Sequence, residues 1–77
     1  MIKSEKFNIE FILHAYNITI DQIKSSLTEF GDSLEIVDCM NSQEKGSNFK
    51  VNISTEDPTL IFDVCSQFGR IRSVKVN

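Results

Sequence analysis

The stretch Asn52-Ile53-Ser54-Thr55-Glu56-Asp57-Pro58 decides how the middle of this chain folds, because one regular element ends and another begins within it. Upstream, residues 49–53 alternate apolar and polar side chains, which predicts a strand with one buried face. Asp57 can cap a first helical turn, and Pro58 is tolerated at the first helical position. The stretch therefore predicts a β-strand followed directly by an α-helix.

The N-terminal half predicts a strand and then a helix. Residues 7–16 place apolar side chains at every second position, which is the period of a half-buried strand. Thr19 and Gln22 have the spacing of a capping box. The apolar spacing that follows predicts a helix over residues 20–30, ended by Gly31 in a left-handed conformation.

The remaining segments predict two more strands and a second helix. Residues 34–40 are rich in β-formers and predict the second strand, while the polar segment 41–47 predicts a hairpin loop. Residues 60–68 carry apolar side chains at helical spacing, and Gly69 is predicted to end that helix. Residues 71–76 predict the last strand.

The predicted order, strand-helix-strand-strand-helix-strand, defines an α+β fold class. It is typical of the ferredoxin-like βαββαβ sandwich, a four-stranded antiparallel sheet with two helices on one face. Right-handed crossovers place the first and third strands in the middle of that sheet. Since the 77 residues contain no linker, repeat or low-complexity segment, we expect a single domain over residues 1–77.

Charge argues against two classes of partner. The net charge is −3 and the pI is about 4.9, so we expect no general attraction to nucleic acid or to anionic lipid. The cluster of Arg70, Arg72 and Lys75 is a local exception. We interpret it as a solvated strand end, and contact with an anion is the alternative.

The cysteines and the apolar pattern indicate the compartment. Cys39 and Cys65 have no CxxC spacing, and no apolar stretch is long enough for a signal peptide or a membrane span. We therefore expect a reduced, cytoplasmic protein without membrane insertion. Cys65 lies on the apolar stripe of the second helix and is predicted to be a small buried hydrophobe.

Several segments together carry a family resemblance. They are FNIEFIL at 7–13, GDSLEIVD at 31–38, KVNISTEDP at 50–58, FGRI at 68–71 and VKVN at 74–77. FNIEFIL resembles YCTEFIL, GDSLEIVD resembles GDSLVVVGD, KVNISTEDP resembles KVHVHTNDPG, and the last two segments together resemble YG.L..IKIDNM. These patterns are those of the central domain of the bacterial fatty acid kinase family, relatives of dihydroxyacetone kinase. The resemblance covers nearly the whole chain.

The resemblance also implies a zinc site, whose ligands would be the cysteine of YCTEF and the two histidines of VHVH. The corresponding positions here are Asn8, Asn52 and Ser54. None supplies a thiolate or an imidazole, so we expect no zinc and no other cofactor. His14 and Cys39 do not replace the ligand set, since the predicted register holds them apart.

No catalytic constellation stands out in the sequence. Ser33 lies in a GDSL string, but no downstream Asp-x-x-His follows it, so the esterase motif is incomplete. We interpret Glu10 as a surface carboxylate and Asp57 as a helix cap. The resemblance implies that the kinase chemistry of the family belongs to a separate N-terminal domain. We therefore expect no catalytic residues and no enzyme activity in this chain.

The open face of the predicted sheet suggests the function. We expect a noncatalytic interaction or assembly module, a homodimer or the partner of another protein, which associates through that face. The alternative is an ACT-like regulatory domain that binds a small ligand, although that class favours a glycine after the first strand, where residues 15–18 have none. The predicted interface residues are Asn8, Glu10, Ile12, His14, Val37, Cys39, Asn52 and Ser54.

Overall fold

A computed structural model describes residues 6–39 and 45–77. Its elements are β1 (Phe7–Ala15), α1 (Ile20–Leu27), β2 (Asp32–Asp38), β3 (Ser47–Thr55), α2 (Pro58–Ser66) and β4 (Gly69–Val76). The four strands form one sheet, in the order β2-β3-β1-β4, and all neighbours are antiparallel. This confirms the predicted α+β class, the ferredoxin-like order of elements and the central position of the first and third strands.

The core lies between the sheet and the two helices. Alternate side chains of β1 and β3 meet Ile23 and Leu27 of α1 and Ile61 and Cys65 of α2. The strand members of this core are Ile9, Phe11, Leu13, Ala15, Phe49, Val51 and Ile53. Phe7 shares their face of β1 but is 38% exposed, because it lies at the end of the strand. Among the described residues, no helix is long and apolar enough to span a bilayer.

Helix α1 begins as predicted but ends earlier. The Gln22 amide donates to Thr19 Oγ1 at 3.2 Å, and the Thr19 amide donates to Gln22 Oε1 at 2.8 Å, which completes the capping box. The helix stops at Leu27 rather than at residue 30. Gly31 does not have the left-handed conformation predicted for it. A Cβ at Gly31 would lie 2.5 Å from the Ser54 carbonyl oxygen, so this glycine permits close packing instead.

Strand β2 begins and ends before the predicted 34–40. It starts at Asp32, and its register against β3 shifts between Asp32 and Glu35, where Ser33 has a φ of 54°. Ser33 of the GDSL string therefore lies at a bulge inside a strand. Residues 40–44, which include part of the predicted hairpin loop, lie outside the described residues. Strand β3 starts at Ser47, inside the segment predicted as loop.

Thr55 joins three elements at the end of β3. Its side chain is 2% exposed, and Oγ1 donates to the Phe30 carbonyl at 2.7 Å and accepts from the Asp57 amide at 3.1 Å. The first bond secures the segment between α1 and β2, and the second secures the entry to α2. Thr55 is thus the polar residue that fixes the connection between β3 and α2.

Thr55→Val is expected to lower the free energy of unfolding by about 2 kcal/mol, because the Phe30 carbonyl and the Asp57 amide lose a buried partner. Urea denaturation followed by circular dichroism measures the change. Thr59→Val is the matched control, since Thr59 is exposed in α2, and it should change stability by less than about 0.5 kcal/mol. Equal effects of the two substitutions would contradict the role assigned to Thr55.

Candidate functional site

The sheet face opposite the helices is called the outer face from here on. The core lies on the other face, so among the described residues the outer face is open to solvent. The strand register places all eight predicted interface residues on it. Their role in association stays a prediction. The outer face consists of Asn8, Glu10, Ile12, His14, Glu35, Val37, Cys39, Asn48, Lys50, Asn52, Ser54, Arg70, Arg72 and Lys75.

The three positions that the resemblance implies as zinc ligands come together at one end of the outer face. Asn8 lies directly opposite Ser54, whose hydroxyl donates to Asn8 Oδ1. Asn52 is two residues along β3, between Glu10 on β1 and Glu35 on β2. A shallow depression of about 220 Å³ is lined by these three positions and Glu35. An amide–hydroxyl pair therefore occupies the place where the family would have a thiolate and imidazoles.

Metal-binding groups are sparse in the part of the chain that the structure describes. It contains no group of three or more His, Cys, Asp or Glu side chains close enough to hold a metal ion. His14 and Cys39 flank Asn48 on opposite neighbouring strands, since His14 pairs with Asn48 and the Cys39 amide donates to its carbonyl. Two strand spacings, about 9.5 Å, separate them. That the protein binds no zinc stays a prediction.

A row of charges crosses the middle of the outer face. Glu10 accepts from Lys50 on β3 at 3.3 Å and lies 3.8 Å from Lys75 on β4. Both pairs are partly exposed, so each contributes no more than about 1 kcal/mol. The edges carry opposite charge, because β2 presents Glu35, whereas β4 presents Arg70, Arg72 and Lys75.

A polar network occupies the other end of the outer face. Asn48 is 7% exposed, and its Oδ1 accepts from Arg72 Nη2 at 3.0 Å and lies 2.8 Å from His14 Nδ1. Because an amide oxygen only accepts, His14 Nδ1 carries the proton of this bond. His14 Nε2 is 3.3 Å from the Tyr16 hydroxyl, and the two rings meet edge to face at 5.2 Å. The network orients both His14 and Arg72.

Sequence reasoning did not identify Asn48 and Tyr16 as members of this network. Asn48 follows a segment predicted as loop, so its side chain was not assigned to a face. The alternation of β3 would have placed it beside His14 only if the strand had been extended back to Ser47. Tyr16 ends the segment 7–16 predicted as the first strand, whose alternation places it on the face of His14, although β1 itself ends at Ala15.

The structure also places the candidate nucleophiles. Cys65 is fully buried, which confirms the prediction, and burial raises the pKa of its thiol to about 12. It therefore stays a thiol at neutral pH and is a poor nucleophile. Ser33 lies near the Asn8–Ser54 end of the sheet, six strand residues or about 20 Å from His14, the single histidine. Asp57 Oδ1 accepts from the Thr59 amide at 3.1 Å, as expected of a helix cap.

Comparison with known proteins agrees with the family resemblance. A family model that describes the middle domain of FakA-like fatty acid kinases matches residues 4–77. Comparison with curated proteins gives no significant match. The family match includes β1 and β3, which carry the substituted ligand positions, and both helices. This chain therefore belongs to the FakA-like middle-domain family of the fatty acid kinases.

Proposed function

We propose that this protein is a noncatalytic assembly module that pairs with a second copy of itself through the outer face. The observation that carries the proposal is that this face is open while the opposite face is covered by both helices. Its polar groups bond to one another within the sheet, as Asn8 does with Ser54 and Glu10 with Lys50. These pairs satisfy one another, which is typical of a polar surface rather than of a reaction site.

The charge pattern supports one arrangement of the pair. A two-fold axis parallel to the strands places β2 of one copy over β4 of the other. Glu35 would then face the edge that carries Arg70 and Lys75, which is electrostatically favourable. An axis across the strands would instead place edges of like charge together, which is electrostatically unfavourable. We therefore infer aligned packing of the two sheets, with Val37 and Ile12 covered.

The size of the outer face sets the expected affinity. Four strands spaced by about 4.8 Å and roughly 25 Å long present about 500 Å² per copy. This is below the roughly 800 Å² per partner of a standard stable interface. We therefore expect a weak dimer, with a dissociation constant on the order of tens of micromolar.

Val37→Lys tests the proposed pairing. Val37 is 55% exposed on the outer face at the register level of Arg72, so the substitution spares the core but places a cation against the Arg72 edge of the second copy. We expect the dimer to weaken by at least about tenfold. The measurement is sedimentation equilibrium over roughly 5 to 500 µM, which brackets the expected dissociation constant.

Val76→Lys is the matched control for this experiment. Val76 is 50% exposed and pairs with Ile9, whose side chain is in the core, so it projects from the helix side of the sheet. It should leave dimerisation unchanged. A wild-type protein that sediments only as an 8.8 kDa species, or equal effects of the two variants, would count against pairing through the outer face.

A second candidate function gains support from the segment after β1. The ACT-like alternative was disfavoured because residues 15–18 contain no glycine. Asn17, however, has a φ of 55°, the left-handed conformation that a glycine would supply, and Asn tolerates it. A groove along this segment is lined by Tyr16, Ile18 and Phe68, among others. A thermal shift produced by one amino acid from a panel would favour this function over the assembly module.

The compartment and the remaining partners follow from charge and cysteine chemistry. We propose a cytoplasmic location, since Cys39 and Cys65 are both free thiols. A net charge of −3 makes nucleic acid a poor partner. Both points rest on composition and apply whichever of the two functions holds.

A further inference from the structure

A cavity of about 740 Å³ opens at the corner of the outer face where β1 ends and β4 begins. Its described lining consists of His14, Tyr16, Lys45, Gly69, Arg70 and Arg72. Three of these six residues are cationic at neutral pH, and none is a carboxylate. The volume lies within the range of small-molecule sites, roughly 300–1,000 Å³.

This concentration of positive charge runs against the composition of the chain, whose net charge is −3. The other two lysines of the outer face, Lys50 and Lys75, lie beside the Glu10 carboxylate. Arg70 and Lys45 face the cavity, beside the Arg72 guanidinium that bonds to Asn48. The corner is therefore a local cationic site on an acidic protein.

Two of the lining groups are held in place by bonds from outside the cavity. Asn48 Oδ1 orients both the Arg72 guanidinium and the His14 ring. The His14 ring in turn lies 3.3 Å from the Tyr16 hydroxyl through Nε2. The bond from Arg72 to Asn48 fixes the plane of the guanidinium at the wall of the cavity. Such preorganisation reduces the entropy lost when a ligand binds.

We propose that this cavity binds the phosphate group of a small phosphomonoester. A guanidinium matches two oxygens of a phosphate or a carboxylate equally well in geometry. The charge separates the two ligands, because the two cations Lys45 and Arg70 are better balanced by a phosphate dianion than by a carboxylate monoanion. The Tyr16 hydroxyl lies at the rim beside His14 Nε2, and the remaining volume accommodates the organic part of the ligand.

The phosphate site does not rest on the proposed pairing, but the two would compete, because the pairing places the Glu35 edge of a second copy over the strand that carries Arg70. The Val37→Lys variant, whose substitution is on β2 at the far edge of the sheet, should therefore bind phosphate at least as tightly as wild type. Phosphate binding by both proteins without a detectable dimer of either would contradict the pairing alone. Measuring both proteins therefore keeps a failure of pairing distinct from a failure of phosphate binding.

The test is a titration of ¹⁵N-labelled protein with glycerol phosphate at constant ionic strength. We expect saturable shifts of the Gly69, Arg70 and Arg72 amides. The Lys45→Gln/Arg70→Gln double variant removes two of the three cations without touching the Asn48 network, and it should bind at least about tenfold more weakly. Inorganic phosphate gives the same shifts if the phosphate group alone is recognised.

Lys75→Gln is the matched control, because Lys75 is a cation of the same strand and face that lies beside Glu10 and does not line the cavity. The affinity of this variant for glycerol phosphate should stay within about twofold of that of wild type. The proposal is overturned if Lys75→Gln loses as much affinity as the double variant, if chloride produces the same shifts, or if acetate binds as tightly as glycerol phosphate.

Discussion

Gly69→Ala is expected to lower the free energy of unfolding by about 3 kcal/mol, enough to unfold a large share of a domain of this size. A Cβ at Gly69 would lie 2.1 Å from the His14 carbonyl oxygen, 2.9 Å from its carbon and 3.0 Å from the Ala15 Cα. All three are backbone atoms of β1, so no side-chain rotation relieves the contact. Strand β4 would have to separate from β1 where their pairing begins.

Urea denaturation followed by circular dichroism measures this loss, and two further variants calibrate it. Lys75→Ala, at an exposed site of the same strand, should cost less than about 0.5 kcal/mol. Gly31→Ala should fall between them, because two of the three atoms nearest its Cβ belong to the Ile53 side chain, which can move. If Gly69→Ala were as stable as wild type, β4 would not approach β1 as closely as the structure shows.

Restoring the implied ligand set is expected to create a zinc site, given the prediction that the natural chain binds no zinc. The change is Asn8→Cys, Asn52→His and Ser54→His. Positions 8 and 54 are directly opposite, with Cβ atoms about 5 Å apart, and position 52 points to the same face. Bonds of about 2.3 Å from sulfur and 2.0 Å from nitrogen are therefore within reach of one ion. Water or Glu35, which lines the same depression, completes the tetrahedron.

The expected readout is one zinc per chain and a gain in stability. At a free zinc concentration of 100 times the dissociation constant, the free energy of unfolding should rise by about 2.7 kcal/mol. Cobalt in place of zinc reports the thiolate through its charge-transfer absorption. The variant that keeps both histidines but has Asn8→Ser is the control and should lack that band. Stoichiometric zinc in the wild-type protein would instead show that the substituted positions still bind metal.

The sequence determined the features that depend on neighbours along the chain. The capping box of Thr19 and Gln22 and the Asp57 cap require partners two or three residues away, so spacing alone predicts them. The alternation in β1 and β3 likewise identifies the inward face of each strand, because successive side chains point to opposite sides. The order of elements then left few ways to form the sheet.

The tertiary structure decided the features that depend on distant segments. Gly31 and Gly69 were both predicted to end a helix. Each position instead requires a glycine because another strand packs closely against it, β3 in one case and β1 in the other. Asn48 joins His14 to Arg72 only because β3, β1 and β4 lie side by side in register. Contacts between residues more than twenty positions apart leave no local pattern, so the sequence showed the cluster of Arg70 and Arg72 but not that His14, Tyr16 and Lys45 lie beside it.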